Sequence, residues 1–313
     1  MSQPRVVAVI VTWNRRDLLA ESLSAVAGQT RPPDRVVVVD NASTDDTAEL
    51  LADRFPMLEV VRSAQNLGGA GGFALGIRRA LDVEPVDGDA VWLLDDDTVP
   101  RATALEGLVS ARSAYPGATP AVVASKVVWT DGRDHPMNTP RSRPGVSRAE
   151  RRRAEATGCL PIRSASFVSV LVDADAVRER GLPLADYFLW NDDFEFTTRM
   201  IRGRVGLWCP GSVAVHKTAT FGAADAEPGA RFYYEVRNKV WVFTRSRGLS
   251  PLEKVGYGGA TVLRWVRTLA ASRQRGPLLG GLRRGLADGL RSGPRPTDEV
   301  LDVATSPPGV EHG

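Results

Sequence analysis

Hydrophobic positions in the first hundred residues come in short solid blocks separated by stretches of helical spacing. Residues 6–12 (Val-Val-Ala-Val-Ile-Val-Thr) form an unbroken apolar run, the pattern of a strand covered on both faces. Leu18, Leu19, Leu23 and Val26 then share one stripe of a helix over 16–28, closed by Pro32-Pro33. The alternation repeats as a strand at 35–39, a helix at 45–55 and a strand at 58–62. A Gly-rich stretch at 66–72, a helix at 73–81 and a strand at 90–94 follow. Alternating strands and helices with short connections predict an α/β fold, a doubly wound, mostly parallel sheet with helices on both faces. Ligands of such sheets bind beyond the carboxyl ends of the strands. Thr12-Trp13-Asn14, Asp40-Asn41, Asn66-Leu67-Gly68 and the run Asp95, Asp96, Asp97 all sit just past strand ends, so they are expected to line one cleft.

The second half is less regular. Strands are predicted at 121–129 and 166–173. Between them, 141–153 carries six arginines and one glutamate and reads as a mobile surface loop, or as a flap over an anionic substrate. A helix begins within Trp190-Asn191-Asp192-Asp193-Phe194-Glu195, with Phe196, Met200 and Ile201 as its buried stripe. An apolar run at 211–215 leads into His216. Residues 249–290 suggest one or two basic amphipathic helices, and the Pro-containing end from Gly293 reads as disordered.

Composition adds limits. With 43% hydrophobic and 25% charged residues, the 313-residue chain is an ordinary globular one. Two cysteines, Cys159 and Cys209, make neither a disulfide framework nor a zinc site and fit a reducing compartment. No N-terminal signal and no apolar run of membrane-spanning length is apparent. The net charge of +3 conceals a basic stretch, because residues 231–296 hold 14 Lys/Arg against Glu235, Glu253 and Asp288. Such a stretch suits phosphates of a membrane surface or of nucleic acid.

The chemistry begins with the three aspartates. Adjacent carboxylates ending a buried strand repel one another unless a cation lies among them, and a divalent metal carrying a diphosphate fits that need. An Asp-rich turn or a helix cap is the plainer alternative. Carboxylates at the start of the 192 helix gain from its N-terminus, and one aimed into the cleft can serve as a base; simple capping competes. Of three histidines, His216 is the best placed nitrogen ligand. Within Phe232-Tyr233-Tyr234-Glu235-Val236-Arg237-Asn238, Arg237 can approach phosphate or belong to an ordinary helical stripe.

In order along about residues 5–245, these segments resemble the family 2 inverting glycosyltransferases of GT-A fold. Asn-Leu-Gly-Gly-Ala-Gly-Gly from Asn66 and Trp-Asn-Asp-Asp-Phe-Glu from Trp190 are most similar to galactofuranosyl- and rhamnosyltransferases of bacterial cell-envelope assembly. The resemblance implies a glycosyltransferase domain at 1–245, with a nucleotide-sugar half to about 130 and an acceptor half from 131. A basic helical extension at 246–292 and a disordered tail at 293–313 complete the expected organisation. It implies that Thr12, Trp13, Asp40, Asn66, Gly69, Asp95 and Asp96 bind the nucleotide sugar. Asp95, Asp97 and His216 would hold Mg²⁺ or Mn²⁺. Asp193 would be the catalytic base, and Trp190, Asp192 and Glu195 would shape the acceptor and sugar sites, with Arg237 near the diphosphate. The sequence departs from the family at Asn191-Asp192, where many members carry Gly-Glu or Gly-Asp; this leaves the base position intact and bears on the acceptor. The expected donors are UDP-galactofuranose or dTDP-rhamnose, or a UDP-hexose. The expected acceptor is a polyprenyl-diphosphate-linked saccharide, or a polysaccharide, met at the cytoplasmic face of an anionic membrane.

Two other classes compete. Gly69-Ala70-Gly71-Gly72-Phe73-Ala74 fits the G-x-G-x-x-A fingerprint of a dinucleotide-dependent oxidoreductase, although it follows the third strand rather than the first. A sugar-nucleotide-binding scaffold without turnover is the non-enzymatic alternative. Nucleic-acid binding is disfavoured, because the tail has few aromatics and an acidic cleft repels phosphate.

Overall fold

The computed structural model describes residues 4–86, 88–222, 228–273 and 275–305. Its first half is the predicted alternation: β1 (Val6–Thr12), α1 (Arg16–Ala27), β2 (Arg35–Asp40), α2 (Thr47–Arg54), β3 (Glu59–Arg62), α3 (Gly68–Ala80) and β4 (Ala90–Asp95). There follow β5 (Thr98–Pro100), α4 (Ala104–Ala114), β6 (Val122–Val128), β7 (Arg141–Ser142), α5 (Arg148–Glu155), β8 (Leu160–Ser164), β9 (Val170–Asp173) and α6 (Ala174–Arg180). The chain continues through α7 (Asp192–Ile201), β10 (Gly206–His216), α8 (Phe232–Thr244), α9 (Pro251–Ala271), α10 (Arg275–Arg291) and α11 (Thr297–Thr305).

Strand order in the sheet is β3-β2-β1-β4-β9-β6-β10-β8-β7, with β5 also on β10. The β3-β2-β1-β4 portion is parallel throughout, with Thr12 beside Asp40 in register. Past β4 the sheet turns antiparallel at β9, which pairs β4 and β6 in that sense. Alternate residues of the buried strands feed two cores. Val7, Val9 and Val11 face α3 on one side, and Val6, Ala8 and Ile10 face α1 on the other.

Three expectations change, and a fourth, the one or two basic helices, is met by two. The Gly-rich stretch is not a loop ahead of a helix but the helix itself. A Cβ at Gly72 would stand 2.5 Å from Val11 Cγ1, and one at Gly76 would collide with Val9, so these glycines let α3 lie directly on the sheet. The arginine-rich 141–153 segment is not a mobile loop. It forms β7 on β8 and then α5, which opens on a Ser147 cap accepting from Glu150 N–H at 3.1 Å. The basic extension is two helices, and α10 packs on α8 through Gly281, Gly285 and Gly289, where a Cβ at Gly285 would lie 2.8 Å from Tyr233 O. Finally, 293–305 is ordered. Arg295 pairs with Asp186 at 2.8 Å, Thr297 Oγ1 donates to Pro183 O at 2.9 Å, and Val300 and Leu301 of α11 enter the core beside α3. The remainder of the expected tail, 306–313, lies outside the described residues. Among the described residues no helix is long and apolar enough to cross a membrane.

Candidate active site

Strands β1 and β4 are parallel neighbours, so their carboxyl ends bring Thr12 and Asp95–Asp97 together. Asp96 turns back into the fold: its Oδ2 accepts from Thr12 Oγ1 at 2.9 Å and from the Trp13 N–H at 3.3 Å. Burial pushes its carboxyl up to about 6, opposed by Arg15. Burial and the charges of Asp97 and Asp96 hold Asp95 well above the ordinary carboxylate range. Arg15, which sequence reasoning missed, supplies one cation: Nη1 lies 3.1 Å from Asp96 Oδ1 and 2.6 Å from Asp97 Oδ2.

Asp97 and His216 meet because β5 pairs antiparallel with β10, placing Thr98 opposite His216. One ligand atom each from Asp95, Asp97 and His216 lie within 4.8 Å of one another. The local chemistry fits a metal. Asn138 Nδ2 donates to Ser166 Oγ at 3.0 Å, which turns Asn138 Oδ1 toward His216 Nδ1 at 2.8 Å. Nδ1 therefore donates to the amide oxygen, which leaves Nε2 as the ring atom facing Asp97 Oδ1 at 3.0 Å. That oxygen is buried and has no hydrogen-bond donor. A ring nitrogen and a carboxylate oxygen at this distance, with an outer amide fixing the ring's orientation, make a ligand pair suited to a cation. Asn138 carried no signal in sequence, because its partner lies 78 positions away.

The nucleotide side is built from the other strand ends. Asp40 is buried, its Oδ1 accepting from Ser43 N–H at 2.9 Å and its Oδ2 from Arg62 Nε at 3.1 Å. Asn66 Oδ1 accepts from Asn41 Nδ2 and from Gly68 N–H, pinning the turn into α3. Trp13, 50% exposed, stands at the rim. Gly69, at the start of α3, faces α7: a Cβ there would lie 3.9 Å from Asp192 Oδ2.

Asp192 and Asp193 begin α7. Burial, then the neighbouring Asp193 charge, pushes Asp192 up to about 8. Burial also raises Asp193, but Lys239 and Arg141 oppose the rise. Lys239 is itself buried, and burial brings its ammonium down to about 8. The sequence singled out neither cation. A cavity of about 250 Å³ opens alongside, lined by Arg141, Trp190, Asn191, Glu235, Arg264 and Trp265.

The segment leading into α7 is strained. Phe188 (φ 61°, ψ −61°) centres a γ-turn closed by Leu189 N–H to Tyr187 O at 2.6 Å, and Trp190 and Asn191 have φ of 66° and 65°. Non-glycine residues held this way cost on the order of 1–3 kcal/mol each and persist where surrounding contacts over-determine them.

Two expected residues have other occupations. Glu195 is buried, with Oε1 3.0 Å from Arg199 Nε and accepting from Ser246 Oγ at 2.8 Å, so it braces α7 rather than facing the cleft. Arg237 is not a diphosphate contact. Its Nη2 donates to the Asp186 and Tyr187 carbonyls and its Nε to Asn238 Oδ1, while its guanidinium lies 4.2 Å from the Trp241 ring centroid.

The model of glycosyl transferase family 2 matches residues 7–175. The chain belongs to this family. It is 36% identical over 204 residues to galactofuranosyltransferase GlfT1 of Mycolicibacterium smegmatis, covering 63% of this chain and 65% of that relative, just under two thirds of its length. It is 32% identical over 256 residues to galactofuranosyltransferase GlfT1 of Mycobacterium tuberculosis, covering 77% and 82%. Among solved structures, the mannosyltransferase PcManGT of Pyrobaculum calidifontis, in complex with GDP-Man and Mn2+, superposes with a TM-score of 0.55 at 20% identity, covering 97% of this chain and 80% of that one. S. aureus TarS 1-349 in complex with UDP-GlcNAc gives 0.59 at 15% identity, covering 95% and 84%. The fold is that of the GT-A glycosyltransferases, and the protein is a glycosyltransferase. Family membership displaces the oxidoreductase and non-catalytic readings.

Proposed function

We propose that this glycosyltransferase transfers a sugar, with inversion, from a nucleoside-diphosphate donor to a hydroxyl of a cell-envelope saccharide. The juxtaposition of the Asp95, Asp97 and His216 ligand atoms with the acidic start of α7, across one cleft, carries the reading. Held by these three residues, Mg²⁺ or Mn²⁺ would neutralise the diphosphate leaving group. Thr12, Trp13, Asp40 and Asn66 bind the nucleotide, and Arg15, freed from Asp97, turns to a donor phosphate. Asp193 takes the acceptor proton. Lys239 and Arg141 favour its ionised form, while Asp192, pushed up to about 8, stays protonated and offers a hydrogen bond to the sugar.

The relatives named galactofuranosyltransferase favour UDP-galactofuranose over dTDP-rhamnose as donor. The cavity beside Trp190 seats the acceptor saccharide, with Trp190 and Trp265 for sugar faces and Arg141 and Arg264 for a linked diphosphate. Helix α9 supports a lipid-borne acceptor. Trp265 lines the cavity while Leu252, Val255, Val262, Leu263 and Val266 form an exposed apolar stripe on the same helix. Such a stripe on a basic helix suits the interface of an anionic membrane and supports a peripheral position on its cytoplasmic face.

The test is a donor panel read by nucleoside diphosphate release, with a synthetic lipid-linked disaccharide as acceptor. UDP-galactofuranose is expected to turn over fastest, and chelation is expected to abolish release until Mg²⁺ or Mn²⁺ is restored. Undiminished turnover in chelator would refute the metal assignment.

A further inference from the structure

Every backbone carbonyl from Asp186 to Trp190 is taken up, and two consecutive side chains of α8 do most of the work. Asn238 Nδ2 donates to Tyr187 O at 3.0 Å, Leu189 O at 2.9 Å and Trp190 O at 2.8 Å. Arg237 Nη2 donates to Asp186 O at 2.7 Å and Tyr187 O at 3.2 Å. The remaining carbonyl, of Phe188, accepts from Ala70 N–H at 3.2 Å on the opposite wall. Gly68 has no Cβ there, and one would overlap the Phe188 oxygen. Arg237 Nε also donates to Asn238 Oδ1 at 3.0 Å, fixing which way the amide points. Asn238 is 0% exposed and does not line the cavity beside Trp190.

This apparatus grips a stretch of backbone that would not hold its shape unaided. Phe188, Trp190 and Asn191 all have positive φ, and Asp192 and Asp193 follow directly. A short strained segment whose carbonyls are held from α8 on one side and α3 on the other fixes where α7 begins, and hence where its first two carboxylates stand.

We infer that Asn238 is the positioning residue of the acidic pair: it aligns Asp193 with the acceptor hydroxyl through the 187–191 backbone while touching neither substrate. The inference rests on Asp193 acting as base. It assigns the Tyr-Tyr-x-x-Arg-Asn segment a task in orientation rather than in phosphate binding. The nucleotide and metal-binding groups lie on other elements, so the loss of Asn238 separates turnover from UDP affinity.

The test uses the full chain with UDP-galactofuranose as donor and UDP as the affinity probe. Asn238→Asp keeps the shape of the side chain but sets a carboxylate oxygen against three carbonyls. Asn238→Ser keeps one donor. A displacement of about 1 Å at a reacting group costs about 100-fold in rate. Asn238→Asp is therefore expected to lower kcat by about that factor while the donor KM and UDP affinity stay within about threefold, with Asn238→Ser in between. A kcat within about threefold of wild type for both variants would overturn the inference, and so would donor affinity falling in step with kcat. If Asn238→Asp does not fold, the same criteria apply to Asn238→Ser alone. Asp193→Asn run in parallel separates the two readings. Normal turnover in Asp193→Asn removes the base; an inactive Asp193→Asn beside a normal Asn238→Ser removes only the positioning role.

Discussion

Seven carboxylates lie in or beside the cleft, Asp192 among them, and their surroundings sort them. Asp96 and Glu195 face donors inside the fold, Asp40 ties two strand ends, and Asp95 and Asp97 face His216. Asp193 opens α7, where the Phe194 N–H and then the cations Lys239 and Arg141 oppose the rise that burial imposes. A base must be ionised yet within reach of a proton, and these groups favour the ionised form. Asp193→Asn keeps size and helix start but cannot take a proton. Transfer is expected to fall by 10²-fold or more, about the contribution of a general base, while UDP binding by calorimetry changes little. Most of these carboxylates were legible as acidic residues past strand ends. Their division of labour was not, because it depends on Arg15, Asn138 and Lys239, which no motif spacing singles out, and on Asn238, whose reach to distant carbonyls leaves no local pattern.

The helices of the C-terminal third depend on side chains reaching back into the catalytic domain. Helix α9 starts at a capping box in which Glu253 N–H donates to Ser250 Oγ at 3.3 Å and Ser250 N–H to Glu253 Oε2 at 2.7 Å. Glu253 also receives Arg163 of β8, 90 positions away. Burial opposes ionisation there, but the Arg163 and Ser250 hydrogen bonds outweigh it and hold the carboxyl down at about 2. A carboxyl below its unfolded value stabilises the fold above that value, and the contribution disappears as pH falls through the folded one. Glu253→Gln is expected to melt earlier than wild type at pH 7, with the gap closing between about pH 4.5 and 2; a gap independent of pH would discount the pair. The periodicity of 249–290 announced these helices. Their anchoring was hidden, because an ion pair at that separation leaves no local pattern.

Across the whole molecule the exposed surface is divided. The cleft is acidic, whereas α9 carries its apolar stripe outward within a stretch of 14 basic and three acidic residues at 231–296. Burying such a stripe in a bilayer interface adds apolar transfer to lipid attraction. Val262→Glu with Val266→Glu changes only exposed positions, so fold and turnover on a short soluble acceptor are expected to persist. Sedimentation with anionic vesicles is expected to fall at least tenfold; equal partitioning of variant and wild type would exclude this face.

By itself the sequence determined the α/β layering, the four parallel strands and the gathering of Thr12, Asp40, Asn66 and Asp95–Asp97 at one edge. Apolar runs and helical stripes are local, and the winding rule carries them to a common cleft. Tertiary structure alone decided that the glycines of α3 pack against strands, that 141–155 is strand and helix, and that Leu301 is buried at 0% exposure instead of trailing in a disordered tail. It also decided that Arg237 and Asn238 serve the backbone of 186–190. Each of these depends on which surface happens to lie opposite, and that is fixed only when distant segments meet.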